Sequence, residues 1–350
     1  MALAFKSRVC LYEGTFRKYH SREPSSDKPW QNDVYNADNK FLREAAAAAK
    51  EIMDKGPFSL VTGDVKTAYR SLFTSAGLLT QEVIFGREYS KELSAFHETS
   101  WYYYSPTYGT KIAMTKKFMN TYLTTKGTPF TDIDGYKTID FIHEFDGRDA
   151  RMAQTVISPS YQMKISGRTV PYSPNWKVTR TGYHPIKWSI DDDADNVLSK
   201  AASWNSLPII RYAEVLLNYA EAVAESNLPN AEGVITAQEA LNKVHHRAGF
   251  LDNLALTSEN VRRERKAEFA LEYNTIWDYF RLREFHTIFD GTFRRRGLVP
   301  MLDFSGGEKK YIFVRAEVEP GNAQHKFEPK AYYRPIPGIG GNSLINNPNY

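Results

Sequence analysis

The residues best equipped for chemistry in this chain are aromatic, and the chemistry they suit is recognition. Trp101-Tyr102-Tyr103-Tyr104-Ser105-Pro106-Thr107-Tyr108 forms one aromatic loop, and a second spans Tyr161 to Trp188 with Tyr172, Trp176 and Tyr183 inside it. A pyranose ring has an apolar C–H face and a rim of hydroxyls. A flat aromatic ring stacks on that face while amide and guanidinium groups hydrogen-bond the rim. Gln162, Arg168, Asn175 and Arg180 lie close in sequence and carry such groups. The expected ligand-binding set is Trp101, Tyr102, Tyr104, Tyr172, Trp176, Asn175 and Arg180. The competing reading is that these rings pack the loops onto a scaffold, because aromatics also dominate cores.

Other groupings are poorer candidates. Glu264 and Glu268 stand about 5–6 Å apart on a helix, near the spacing of a retaining glycosidase. Their arginine-rich surroundings favour two ionised carboxylates, whereas one must stay protonated to act as acid. No HExxH, GxSxG or P-loop pattern is present, so neither an enzyme nor a cofactor is expected. Asp191-Asp192-Asp193-Ala194-Asp195 could offer oxygens to calcium but lacks the glycine and later glutamate of an EF-hand loop, and reads as a solvated acidic turn. His245 and His246 point about 100° apart on a helix and cannot share a metal. Arg294-Arg295-Arg296 reads as a surface turn, and Gly338-Ile339-Gly340-Gly341 lacks the flanking strand and helix of a dinucleotide site.

What must position these residues is a helical scaffold centred on 208–281. Ile209, Tyr212, Leu216, Tyr219 and Val223 recur at helical spacing, and Ala240, Leu241, Val244 and Ala248 do so in a second helix, with Gly249 at its left-handed end. A third helix is predicted to open on Ser258 as N-cap and run for roughly 25 residues, about 40 Å. Phe269, Tyr273, Ile276, Trp277 and Phe280 fall on one arc of it and are expected in the core. Glu264, Glu268 and Glu272 fall on the other side, with Asp278 near them. Stacked like charges need cations, and Arg211, Arg247, Arg262, Arg263, Arg265 and Arg281 can meet them in an ion-pair network between helices.

Upstream, residues 2–20 form a helix with Phe5, Val9, Tyr12, Phe16 and Tyr19 on one stripe. Phe41–Lys55 forms another, whose run Ala45–Ala49 lets a partner approach closely before Gly56-Pro57 ends it. Helices 2–20/41–55 and 209–226/236–248 then make two hairpins. Between them the pattern changes: Glu82-Val83-Ile84-Phe85 is strand-like, Ile112–Leu123 returns to helical spacing, and the remainder is rich in Gly, Pro, Ser, Thr and aromatics, including a loop at Ser21–Asn36 with Trp30. The expected division is 1–59 as a helical hairpin, 60–205 as a loop-rich insertion bearing the aromatic loops, and 206–350 as scaffold and closing segment: a mainly α fold with little β structure.

The totals fit that picture. With 350 residues, a sizeable core is possible. The 22 Tyr and 6 Trp point to ligand surfaces as well as core, and a net charge of +4 gives no case for nucleic acid. A single cysteine, Cys10, excludes an internal disulfide. Phe5-Lys6-Ser7-Arg8-Val9 before it is neither an apolar signal region nor a cleavage site, so Cys10 reads as a buried structural thiol.

RYAEVLLNYAEA (211–222), LNKVHHRAG (241–249), ERKAEFALEYNTIWDYFR (264–281) and the closing YYRPIPGIGGNSLINNPNY (332–350) resemble the SusD/RagB family of surface nutrient-binding lipoproteins of Bacteroidetes; LYEGTFRKYH (11–20) resembles a helix of its early repeat. Two departures are Tyr273 and Thr275, where the family usually has Gly and Arg, and Ala150 in Arg148-Asp149-Ala150-Arg151, where it usually has Pro. The resemblance implies a scaffold of tetratricopeptide-like hairpins and a glycan-binding role at the cell surface, with a TonB-dependent SusC-like outer-membrane transporter as partner. It also implies a signal peptide, a lipid-anchoring cysteine and further helices ahead of the matching part, so the chain reads as an N-terminally truncated member. Alternatives are a member that binds peptide or another nutrient, or an interaction scaffold with no ligand of its own.

Overall fold

The computed structural model describes residues 1–20, 39–137, 139–175, 177–194, 198, 200–230, 233–293, 296–303, 310–317 and 325–332, with backbone alone for the strands within 291–325. Helix α1 (Ala2–His20) packs along α2 (Lys40–Lys55), and both turn small residues to the contact. Ala4, Ser7, Leu11, Gly14 and Thr15 are buried on α1, and Leu42, Ala45, Ala46, Ala48, Ala49 and Ile52 on α2; Ser7 and Thr15 accept hydrogen bonds from Asn218 and Arg281. Gly14 is the point of closest approach: a Cβ there would stand 2.8 Å from Leu42 Cδ2. Cys10 is half-buried and packs on this core, and burial pushes its thiol up.

After short α3 (Ala68–Thr74), strand β1 (Val83–Arg87) falls where the β-branched run predicts it. Helices α4 (Thr99–Tyr104), α5 (Lys116–Met119) and α6 (Ala150–Thr155) and the hairpin β2 (Gln162–Ile165)–β3 (Arg168–Pro171) follow. The helical spacing over 112–123 gives only α5, which begins where the Thr115 hydroxyl accepts from the Phe118 amide. Strand β4 (Leu207–Arg211) pairs antiparallel with β1, with Val83 opposite Arg211.

The scaffold helix predicted from Ile209 therefore starts later. Residues 207–211 are extended, as Pro208 and the pairing with β1 favour, and α7 runs Tyr212–Ser226. It is buried nearly all round, which marks the central helix. Its hairpin partner α8 (Ala237–Arg247) opens on a capping box between Thr236 and Glu239 and ends at Gly249, φ +98°.

The long third helix is two helices. Thr257, not Ser258, is the N-cap of α9 (Ser258–Glu268). The chain then leaves helical geometry, with Leu271 at φ +62° and the Thr275 hydroxyl bonded to the Phe269 carbonyl at 2.8 Å, before α10 (Asn274–Arg281) begins. This break redirects the apolar arc. Phe269 stays in the core, but Tyr273 and Trp277 are 61% and 39% exposed, and Ile276 is exposed too. Beyond α11 (Phe285–Ile288), strand β5 (Asp290–Phe293) pairs with β8 (His325–Lys326). Between them, β6 (Arg296–Asp303) and β7 (Lys310–Glu317) make an eight-residue-per-strand hairpin, so Arg296 starts a strand. The architecture is mainly helical, with paired strands and no closed sheet among the described residues. Trp30, Arg294, Arg295 and Gly338–Gly341 lie outside the described residues. No helix among those described is long and apolar enough to cross a membrane.

Candidate functional site

A buried charge network joins the helices behind the site. The carboxylate of Glu268 on α9 receives three guanidiniums: Arg151 from α6 at 3.0 Å, Arg211 from the end of β4 at 2.9 Å, and Arg247 from the end of α8. Arg211 also binds Glu82 at 2.6 Å and Glu272 at 2.7 Å, while Arg151 binds Asp149 and Glu264. Burial pushes the Glu268 carboxyl up, and the guanidiniums, Arg247 foremost, overcome this and hold it well below the usual carboxylate range. Lys187 is fully buried 2.6 Å from Glu272; desolvation brings its ammonium down to about 8 against the pull of that carboxylate.

This is the interhelical network that the acidic stripe predicts, with Arg211 and Arg247 as foreseen and Arg151 added from the distant 60–205 region. Arg262 instead pairs with Glu225, and Arg263 makes a surface pair with Glu259. Glu264 and Glu268 cannot form an acid/base pair. Arg151 Nη1 bridges them at 2.6 and 3.0 Å and both are held ionised, against the upward push of burial. His245 donates from Nδ1 to the Glu264 carboxylate, 3.0 Å away, and stacks on Phe250.

In front of this frame lies an open cleft of about 920 Å³. One wall is α1, which presents Phe5, Val9 and Tyr12; Phe5 and Val9 are 56% and 46% exposed. Facing them is α10, with Tyr273 and Trp277, whose rings lie 5.6 Å apart; Tyr12 meets Trp277 edge-on at 6.0 Å. Tyr102 on α4 and Ile209 on β4 complete the rim. Polar groups on the walls are already engaged. Arg8 grips Glu214 through two hydrogen bonds of 2.6 Å, and Arg265 holds Asn218 at 2.7 Å and Asp278 at 3.1 Å. Arg281 binds Glu221 through two bonds of 2.7 Å and Asp278 at 2.8 Å. Glu214, Asn218, Glu221 and Glu225 recur at i+3 and i+4, so one polar stripe of central α7 anchors these cations.

The residues expected at the site separate into three groups. Trp101 and Tyr102 form a half-exposed pair with rings stacked 5.3 Å apart, and exposed Tyr108 lies 5.6 Å from Trp101; Tyr102 reaches the cleft. Tyr104 and Tyr172 belong instead to a local core. The Tyr104 hydroxyl meets that of Tyr161 at 2.9 Å, and the half-buried Tyr172 ring packs edge-on against Tyr104 at 5.6 Å; neither lines the cleft. Asn175 spends its carboxamide oxygen on the Lys177 amide in a local turn, and neither it nor Arg180 lines the cleft. Trp176 lies outside the described residues. Trp188 is half-buried, its indole N–H bonded to the Leu271 carbonyl at 3.1 Å.

Asp191, read as part of a solvated turn, is clamped by half-buried Arg70, with Asp192 on Lys164 and Asp193 on the Ser166 amide, while Asp195 lies outside the described residues. Among the described residues no cluster of three potential metal ligands occurs. Tyr273 and Trp277, which the periodicity places in the core, and Phe5 and Tyr12, which it places on one stripe of α1, line the opening together with Tyr102.

The model of the SusD family matches residues 81–346. A SusD-like protein of Bacteroides ovatus is 29% identical over 147 residues, 40% of this chain and 26% of that protein. The structure of a SusD-like protein from Bacteroides fragilis superposes with TM-score 0.68 at 20% identity, over all of this chain and 64% of the other. A SusD-like carbohydrate-binding protein, also from B. fragilis, superposes with TM-score 0.59 at 24% identity, over 96% of this chain and 62% of the other. The match thus spans about a quarter of the curated relative and less than two thirds of each solved one, and the structural likenesses establish a shared fold.

Proposed function

Because the chain belongs to the SusD family, we propose that it captures oligosaccharides at the cell surface and binds them without cleaving them. One observation carries this: Tyr102, Tyr273 and Trp277 line a single open cleft whose carboxylates Glu214, Glu272 and Asp278 are all committed to ion pairs. Aromatic rings grip the C–H faces of sugars, while the described carboxylates of the wall serve as ion-pair partners of Arg8, Lys187, Arg211, Arg265 and Arg281. A related SusD-like structure is described as carbohydrate-binding, which supports the same reading. In it, residues 1–59 and 206–350 are the scaffold, and 60–205 is the insertion that brings α4 and its Trp101–Tyr102 pair to the rim. The partner in this reading is a TonB-dependent SusC-like transporter, and the place of action is the cell surface at the outer membrane, as for a lipoprotein.

A second reading has its own support. The walls are mostly apolar, with Phe5, Val9, Ile112, Leu207 and Ile209 among them, and that lining also suits an apolar peptide segment. Titration calorimetry after a glycan-array screen separates the two. Trp277→Ala and Tyr102→Ala are each expected to weaken glycan binding by roughly tenfold, about 1.4 kcal/mol, with an unchanged circular dichroism spectrum. A blank array, or variants that bind as tightly as wild type, rejects the glycan reading.

A further inference from the structure

We propose that, on the glycan-binding reading above, the cleft selects uncharged oligosaccharides over those bearing uronic acid carboxylates or sulfates, and that the Arg8–Glu214 pair enforces the choice. Three guanidiniums (Arg8, Arg265, Arg281) and three carboxylates (Glu214, Glu272, Asp278) reach the cleft wall. Every one is already held by an opposite charge. Arg8 is bound at both ends of its fork by Glu214 and also reaches the Ile209 carbonyl at 2.7 Å. Arg265 and Arg281 share Asp278 and Glu221, and Glu272 is taken by Lys187 and Arg211.

An entering sugar carboxylate would therefore meet no uncommitted cation among the described residues of the wall. It would lose hydration against Phe5, Val9 and Ile209 and gain no ion pair in exchange, the arrangement in which a buried charge is most costly. A neutral chain carries no such penalty and keeps its stacking on Tyr273 and Trp277. Of the three cations, Arg8 keeps the most exposed side chain, 18% against 4% and 2%, so it is the one that a ligand anion could reach if its partner were removed. Glu214 is the residue that denies it.

Titration calorimetry on the full chain tests this with matched probes. These are neutral xylo-oligosaccharides against glucuronic-acid-substituted ones, neutral galacto-oligosaccharides against oligogalacturonides, and a neutral chain against its sulfated form. Wild type is expected to bind the neutral member roughly tenfold tighter or more, with little dependence on salt. E214Q leaves Arg8 without its counter-charge, and the acidic-to-neutral affinity ratio is expected to rise at least about fivefold at low salt and fall back at high salt. Acidic probes bound by wild type as tightly as neutral ones, or more tightly, overturn the selection. A ratio unmoved in folded E214Q overturns the role of the pair. If no glycan binds at all, the binding reading fails and takes this with it. The wild-type comparison decides the selection by itself should E214Q not fold.

Discussion

Replacing Glu268 by glutamine removes the one negative charge shared by three buried guanidiniums, and the structure says how the loss is distributed. Arg151 keeps Asp149 at 2.7 Å and Glu264 at 2.6 Å, and Arg211 keeps Glu82 and Glu272. Arg247 keeps only Glu82 among its ion-pair partners, at 3.3 Å. Breaking a buried pair by neutralising one member costs about 3–5 kcal/mol, and the amide oxygen still accepts one hydrogen bond, so about 3 kcal/mol is expected. For a chain of 350 residues that is a fall in Tm of about 4 °C. Thermal and urea unfolding followed by far-ultraviolet circular dichroism measure it. The cost is assigned to the stranded cation, so adding Arg247→Met should restore roughly half of the lost stability. Glu259→Gln, which breaks the exposed pair with Arg263, should leave Tm unchanged. A Glu268→Gln protein within about 1 kcal/mol of wild type, or a double variant whose losses simply add, would refute the placement of the charge frame.

Three further outcomes follow from local geometry. Gly14→Ala drives a methyl into Leu42 at the α1–α2 crossing, and the urea midpoint should fall by the equivalent of about 1–3 kcal/mol; no change would mean that the helices are not in contact there. Burial raises the Glu225 carboxyl, but hydrogen bonds from Lys18 and Tyr19 and the charge of Arg262 bring it down to about 2 from an ordinary 4.5. Its contribution is therefore complete above pH 4.5 and lost as pH falls towards 2. Glu225→Gln should cost about 3 kcal/mol at neutral pH and flatten the acid-unfolding profile across that window, whereas a parallel-shifted profile would contradict the ion pair. In the β2–β3 turn both Ser166 (φ +50°) and Gly167 (φ +76°) are left-handed, so Ser166→Asn should stabilise by about 0.5 kcal/mol, and a lowered Tm would argue against this turn geometry.

Much of the helical frame was legible because helix signals are local. Periodicity marked α1, α2, α7 and α8, the alanine run announced a close contact, and Gly249 announced an end. The stacked glutamates of α9 demanded cations, and two of the three that answer at Glu268 were named from sequence. Arg151 was not, because it arrives from more than 100 residues away through the region 60–205, whose short elements are held by tertiary contacts and carry no period. The break between α9 and α10 was hidden for a related reason. Leu271 adopts a left-handed conformation that its side chain disfavours, so no glycine advertises the turn.

The site was misplaced for a more general reason: an amphipathic stripe reports that a face is apolar and leaves open what covers it. Helix α1 carries two such stripes. Phe5, Val9 and Tyr12 lie on the bulky one, which the periodicity marks, yet the face that packs is the small one: Ala4, Ser7, Gly14 and Thr15 with Leu11. Two helix backbones can approach until a glycine meets a leucine, as Gly14 and Leu42 do, only if the intervening side chains are small. The large rings were consequently turned away from the contact, and the helix break did the same to Tyr273 and Trp277. Where one helix offers a stripe of small residues facing another run of alanines, the small stripe is the interface, and a second, aromatic stripe on the same helix marks the open cleft.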